Sequence, residues 1–414
     1  MNIIRGLIGI ITLLLFSWII SENRKAIKLK PVISGILLQI LLVVLMLKVQ
    51  IFKDIFLFLN KAVAVLEKST QAGTSLVFGY IGGGKVPFEE IIPGGSYVLA
   101  FQSLPMVLIV SALSSLLFYW RILPYVVRGF SYTLQKTMGV GGAVGLSTSA
   151  NIFLGMVESP LFVKPYLRQM SRGELFAVMS TGMAGIAGTV MILYASILGS
   201  VIPDVLGQIL LASVVSAIAS LVFSFIMVPP VGEPTSGDIT VPQTARSSLD
   251  AVVKGTEEGI GLLINIVATL VVFVALVHLA NYGLSMLGVF YGGPLTLQRV
   301  LGLIMSPFVW AIGIPWSEAQ VAGSLMGTKT VLNEFVAYID MSKLPPGTLC
   351  QRSNMIMLYT LCGFANLGSL GILIAGLSSM VPEKKDEIIS LGFKSIISGT
   401  LSSSMTGAII GMFY

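Results

Sequence analysis

Two glutamates, Glu158 and Glu334, stand inside otherwise apolar stretches, and carboxamides accompany them: Asn151 before the first, Asn333 beside the second, Asn366 farther on. An ionised side chain in a bilayer interior costs about 3 kcal/mol or more, so it faces a cavity or a partner. Carboxylates and carboxamides that converge can accept and donate hydrogen bonds together, which suits a neutral solute with vicinal hydroxyls. The plainer alternative is that these side chains only satisfy the loose backbone ends of broken helices. That explains one such residue well and five clustered ones poorly. Lys329 is expected to pair with a nearby glutamate.

No catalytic constellation accompanies these groups, so the chain is not read as an enzyme. Its one histidine, His278, lies in the apolar run VVFVALVHLA and is read as a packing residue, not a proton relay. Gly82–Gly84 followed by Lys85 lacks the spacing and the Ser/Thr of a phosphate loop. Cys350 and Cys362 read as small packing residues, not as a disulfide or metal pair. No cofactor is expected.

The elements that must position these groups are membrane helices. Of 414 residues, 55% are hydrophobic and 11% charged, against roughly 25% charged in soluble chains. A mean hydropathy of +0.92 over the full length excludes a single anchor. The net charge of +6 calls for no nucleic acid, because basic residues collect in cytoplasmic loops of membrane proteins. Residues 3–20 end in no small-x-small cleavage site, so they read as an uncleaved first span. The cluster Arg24, Lys25, Lys28 and Lys30 puts the loop after it in the cytoplasm.

Further spans are expected at 31–48, 96–120, 174–200, 207–228, 259–285, 353–380 and 388–413, with surface segments at 50–92, 121–139 and 301–316. Residues 140–166 and 317–338 are too interrupted for spans and too apolar for solvated loops, so each reads as a re-entrant hairpin. The fold class is thus an all-α polytopic membrane protein with eight transmembrane helices and two re-entrant hairpins. It divides into scaffold 1–139, a first repeat 140–228, a linker and span 229–300, and a second repeat 301–414. Sliding Thr181 onto Thr360 also superposes Leu198 on Leu377, Ser200 on Ser379, Pro203 on Pro382 and Asp204 on Glu383, without a gap. An odd number of spans separates the copies, so the repeats would be inverted. Paired interrupted segments of this kind point to a transporter's binding site.

At 327–338 the sequence reads GTKTVLNEFVAY, which matches in full the signature of the concentrative nucleoside transporters. The resemblance continues through ANIFLGMVESPLFVKPYL (150–167), GIPWSEAQVAG (313–323), CGFANLGS (362–369) and the GTLSSSMTGAIIG ending (399–411). It implies a homotrimer in the bilayer, with unwound helices in each protomer, that imports nucleosides by cation-coupled alternating access. It also implies ribose contacts at Glu334, Asn366 and Ser369, with Asn333 beside Glu334 in the substrate site, an apolar lining at Phe364 and Val190, and Glu158 near the base. The short termini suggest a bacterial inner-membrane protein.

Two departures from the family stand out. Before the first-hairpin glutamate the family has Gln and a hydroxyl residue, and here Met156 and Val157 stand instead. That removes two hydrogen-bonding partners for the base and points to purine-leaning or broad selectivity. The family's sodium site maps onto Asn151 and the Leu154 and Ile186 carbonyls, but its Ser or Thr hydroxyl falls at Gly185. A water could fill the space a glycine leaves, or a proton could replace sodium as coupling ion. The retained Asn151 favours sodium. Alternative cargoes are a free base or another small polar solute, and the remaining transport reading is a passive channel.

Overall fold

The computed structural model describes residues 2–89, 96–199, 201–236, 245–290 and 293–414. Within them the chain is helical, apart from one two-residue antiparallel pairing of Val289–Phe290 with Gly293–Pro294. Residues 90–92 of the surface segment, Ser200 of the repeat match and 237–244 of the linker lie outside the described residues.

The chain opens with α1 (Asn2–Ile19), α2 (Leu29–Lys48) and the long α3 (Gln50–Phe78). A turn, α4 (Leu99–Gln102), leads into α5 (Met106–Tyr119), and α6 (Ile122–Met138) follows. In α6 the buried residues Pro124, Val127, Ser131, Leu134 and Met138 recur every three or four positions, so one stripe faces the core.

The first hairpin descends as α7 (Gly142–Asn151) and returns as two single turns, α8 (Glu158–Leu161) and α9 (Lys164–Leu167). A capping box of Ser171 and Glu174 starts α10 (Arg172–Ala184). The helix stops at Gly185 and resumes as α11 (Gly188–Leu198). Hydropathy alone reads 174–200 as one continuous span, because the residues at the break are as apolar as those around it. Next come α12 (Val205–Met227) and the 38-residue α13 (Ser248–Ser285).

The second half repeats the plan. After α14 (Leu297–Ala311), the second hairpin is built from α15 (Trp316–Val331) and α16 (Glu334–Ser342). The broken span is α17 (Gln351–Leu361) with α18 (Leu367–Met380), and α19 (Lys385–Ile410) closes the fold. The starts of α10 and α17 are 179 residues apart, as are those of α11 and α18 and the pair Thr181 and Thr360. The sequence match is therefore matched by helix boundaries.

Among the described residues, six helices or helix pairs are long and apolar enough to cross a membrane: α1, α2, α4–α5, α10–α11, α12 and α13. The Ser- and Gly-rich α19 falls outside that set, and its buried Ser395, Ser398, Ser402, Ser403 and Ser404 explain why. It faces protein, where small hydroxyl residues permit close helix packing. The outward side of α13 is the opposite case: Val271, Val272, Leu276 and Leu279 are all exposed. His278 is exposed with them in the single chain. An apolar run does not reveal which side of its helix meets protein.

One end of the bundle is laced by charge. Glu22, in the loop after α1, accepts from Arg172 at 2.9 and 3.0 Å and from Lys394 of α19 at 2.6 Å. The hydrogen-bonded Arg172 guanidinium is the main cause, with Lys394 helping, of a Glu22 carboxyl held down at about 2. Because folding depresses this pKa, the stabilisation is complete above the ordinary carboxylate range and fades as pH falls towards 2. The site is partly exposed, so Glu22→Gln should lower the melting temperature at pH 7 by only about 2 °C. Thermal melts across a pH series should show the gap to the native chain closing below about pH 4. A gap that persists at pH 2 would contradict this.

Candidate functional site

Broken helices leave backbone donors and acceptors without partners, and here the breaks satisfy one another. The Phe364 amide, between α17 and α18, donates to the Gly185 carbonyl between α10 and α11 at 3.1 Å. The Gly188 amide donates to the Phe153 carbonyl in the first hairpin, also at 3.1 Å. The crossing is so close that a Cβ on Gly363 would sit 2.7 Å from the Ala184 carbonyl oxygen. Three interruptions far apart in the sequence thus meet at one point.

Glu334 sits beside that point as the first residue of α16, where the positive end of the helix favours a carboxylate. It is 4% exposed. The Tyr194 hydroxyl of α11 donates to Glu334 Oε1 at 2.7 Å, and Asn366 Nδ2 donates to Oε2 at 3.0 Å. Asn366 does a second job, because its Oδ1 accepts the Ser369 amide at 2.7 Å and caps α18. Asn333 caps α16 in the same way, accepting the Val336 amide at 2.9 Å. For these two carboxamides, capping a broken helix and facing the site are one arrangement. Tyr194 escapes the sequence reading, although it follows Val190 by four residues and so shares its helical face.

These groups line a cavity of about 1020 Å³ that also takes in Phe364, Ser369, Val190, Met156, Val157 and Glu158. Its far wall is formed by α5 and α13, which contribute Ser114 and Asn265 among others. That volume is at the upper end of the range usual for ligand pockets, about 300–1,000 Å³. Val157 also packs on α18, where a Cβ added to Gly376 would come within 2.9 Å of it. The two glutamates end up in different settings: Glu334 is buried and doubly bonded, whereas Glu158 is exposed to the cavity.

Asn151 ends α7 and is buried. Its Nδ2 donates to the Thr181 carbonyl at 2.8 Å, and its Oδ1 accepts from Ser159 Oγ at 3.2 Å. A Cβ on Gly185 would lie 2.6 Å from Asn151 Nδ2. The asparagine amide therefore lies where a side chain at position 185 would begin. The Leu154 and Ile186 carbonyls lie in the non-helical backbone of the neighbouring breaks.

Lys329 is fully buried, and it does not contact a carboxylate as the sequence suggested. Its ammonium donates to the Thr360 carbonyl at 2.7 Å and to Ser403 Oγ at 3.0 Å. Thr360 lies in the last turn of α17, where carbonyls have lost their intrahelical donors. Tyr338 serves the same end by donating to the Leu358 carbonyl at 2.9 Å.

Comparison with known proteins covers the whole chain. Two profiles described as Na+ dependent nucleoside transporter match it, the N-terminal one over residues 8–81 and the C-terminal one over 208–411. A third, described as nucleoside recognition, matches 100–201. The nucleoside permease NupC of Helicobacter pylori is 35% identical over 414 residues, which cover 99% of this chain and 97% of that one. The solved structure of CNTnw in an inward-facing, substrate-bound state superposes with a TM-score of 0.92 at 35% identity, over 100% of this chain and 98% of that one. A CNTnw variant in an outward-facing state gives the same figures.

Proposed function

This chain belongs to the Na+ dependent, or concentrative, nucleoside transporter family, and on that premise we propose that it imports nucleosides as a cation-coupled symporter. The observation that carries the reading is Glu334: a buried carboxylate, aimed into a membrane cavity and held by Tyr194 and Asn366. In this reading the ribose hydroxyls bond to Glu334, with Asn333, Asn366 and Ser369 completing their shell. The base lies against Phe364 and Val190, with Glu158 near its edge. Met156 and Val157 offer that edge no hydrogen bond, so selectivity is broad or leans to purines.

Sodium is the coupling ion in this reading, held by Asn151 and the Leu154 and Ile186 carbonyls, and its gradient drives alternating access. One observation favours a proton instead: the Asn151 amide already bonds to Thr181 and lies over Gly185. The protein works as a homotrimer in a bacterial inner membrane, with the exposed apolar side of α13 covered by lipid and by neighbouring protomers.

The test is uptake of labelled inosine and uridine into proteoliposomes at fixed pH, with and without an inward sodium gradient. Sodium-driven accumulation, with inosine at least matching uridine, is the expected result. Accumulation that ignores sodium but follows a proton gradient would overturn the sodium assignment. If neither gradient supports accumulation, the symporter reading fails.

A further inference from the structure

The two repeats contain the same contact with a different charge. In the first, Asn151 at the end of α7 reaches across to the Thr181 carbonyl. In the second, Lys329 near the end of α15 reaches across to the Thr360 carbonyl. Thr181 and Thr360 are the pair related by the 179-residue offset, and each lies in the last turn of the half-helix before its break. Lys329 stands one residue from the position that this offset assigns to Asn151. In both repeats a hairpin side chain ties down a broken span, with a neutral amide in one and an ammonium in the other.

The surroundings account for the difference. Glu158 of the first repeat is exposed to the cavity, and water can screen it. Glu334 of the second is buried, and the side chains that donate to it, Tyr194 and Asn366, are both neutral. An uncompensated buried charge is strongly destabilising. Lys329 is buried too, and among the described residues it makes no ion pair within 4.0 Å. Lys329 and Glu334 flank the tip of the second hairpin, with only residues 332–333 between the ends of α15 and α16. The ammonium also sits where the negative ends of α15 and α17 converge, a favourable place for a cation.

We infer that Lys329 is a fixed counter-cation for Glu334: a positioning residue that ties the end of α17 to the second hairpin and offsets the buried carboxylate without touching it. The inference rests on the repeat geometry and not on the identity of the transported solute. It has two consequences for the site. Loss of the ammonium releases the end of α17, which leads directly into the Asn366 cap. It also leaves Glu334 as an unbalanced charge in a low-dielectric interior.

A double-mutant cycle on the full chain in detergent tests this, read as melting temperature. Lys329→Met should melt about 5 °C or more below the native chain. The combination Lys329→Met with Glu334→Gln should melt well above the value that the two single losses predict together, because the second change removes the charge that the first leaves unbalanced. Additive losses would overturn the inference, since they would leave Lys329 as a backbone tie only. So would a Lys329→Met variant that melts like the native chain. If that variant cannot be purified, recovery of the folded double variant supports the inference, and failure of both to fold counts against it. No solute is used, so this result is independent of the uptake experiments.

Discussion

Nucleoside uptake by Glu334→Gln should fall by about 100-fold or more, because hydrogen bonds to a charged group contribute about 1.5–3 kcal/mol each and two solute hydroxyls would lose that charge. The geometry makes the glutamine worse than a simple loss of charge. Tyr194 needs an acceptor, so the glutamine oxygen must take the place of Oε1. Its amino group then faces Asn366 Nδ2 at the position where Oε2 accepted a bond of 3.0 Å, which sets two donors against each other. Asn366 cannot turn to relieve this, because its oxygen is committed to the Ser369 amide. Calorimetric titration of inosine into the purified variant, alongside proteoliposome uptake, gives the readout. Native-like binding would show that Glu334 does not hold the solute.

The second large effect separates the two jobs of Asn366. Serine is as good a helix N-cap as asparagine, and its hydroxyl can still accept from the Ser369 amide. Its side chain is too short to reach Glu334. Asn366→Ser should therefore keep its melting temperature within about 2 °C of the native value while nucleoside binding weakens by roughly 10–100-fold. Asn366→Ala should lose binding to a similar degree and also melt lower, because the cap contributes about 1 kcal/mol. Equal melting of the two variants would mean that capping is not what Asn366 adds to stability. Native-like binding by the serine variant would mean that the Asn366–Glu334 bond does not shape the site.

Both expectations depend on pairings of different legibility. The carboxamide caps could be anticipated, since Asn333 and Asn366 stand at breaks in apolar runs and the donors they satisfy lie three residues on. The bond from Tyr194 to Glu334 could not, because 140 residues separate its partners. The cation site that the resemblance implies at the first hairpin lies between these cases. Its residues come from the resemblance, which left a water or a proton-coupled site open at Gly185, and only the structure shows the Asn151 amide lying over that glycine. A sequence shows that a side chain is missing and does not show what moves into its place.

Lys329 follows the same rule. An ammonium near glutamates in sequence suggests an ion pair, yet the end of α17 competes for it and holds it at 2.7 Å. The break in α10–α11 was invisible to hydropathy because leaving a helix does not require leaving apolar residues. The backbone can leave the helix there because Phe364 and Phe153 supply partners for it from other segments.

By itself the sequence determined what local chemistry governs: a membrane class from the scarcity of charge, hairpins and one of the two broken spans from interrupted apolar runs, and two repeats from a constant offset. Its signature motif also identified the family. Only the tertiary structure decided which broken end meets which, that Glu334 is buried while Glu158 is exposed, and that Lys329 serves a carbonyl in place of a carboxylate. The physical reason is that every polar group in a dry interior must find a partner. Which partner it finds depends on what the fold brings within about 3 Å, a distance that separation along the chain does not reveal.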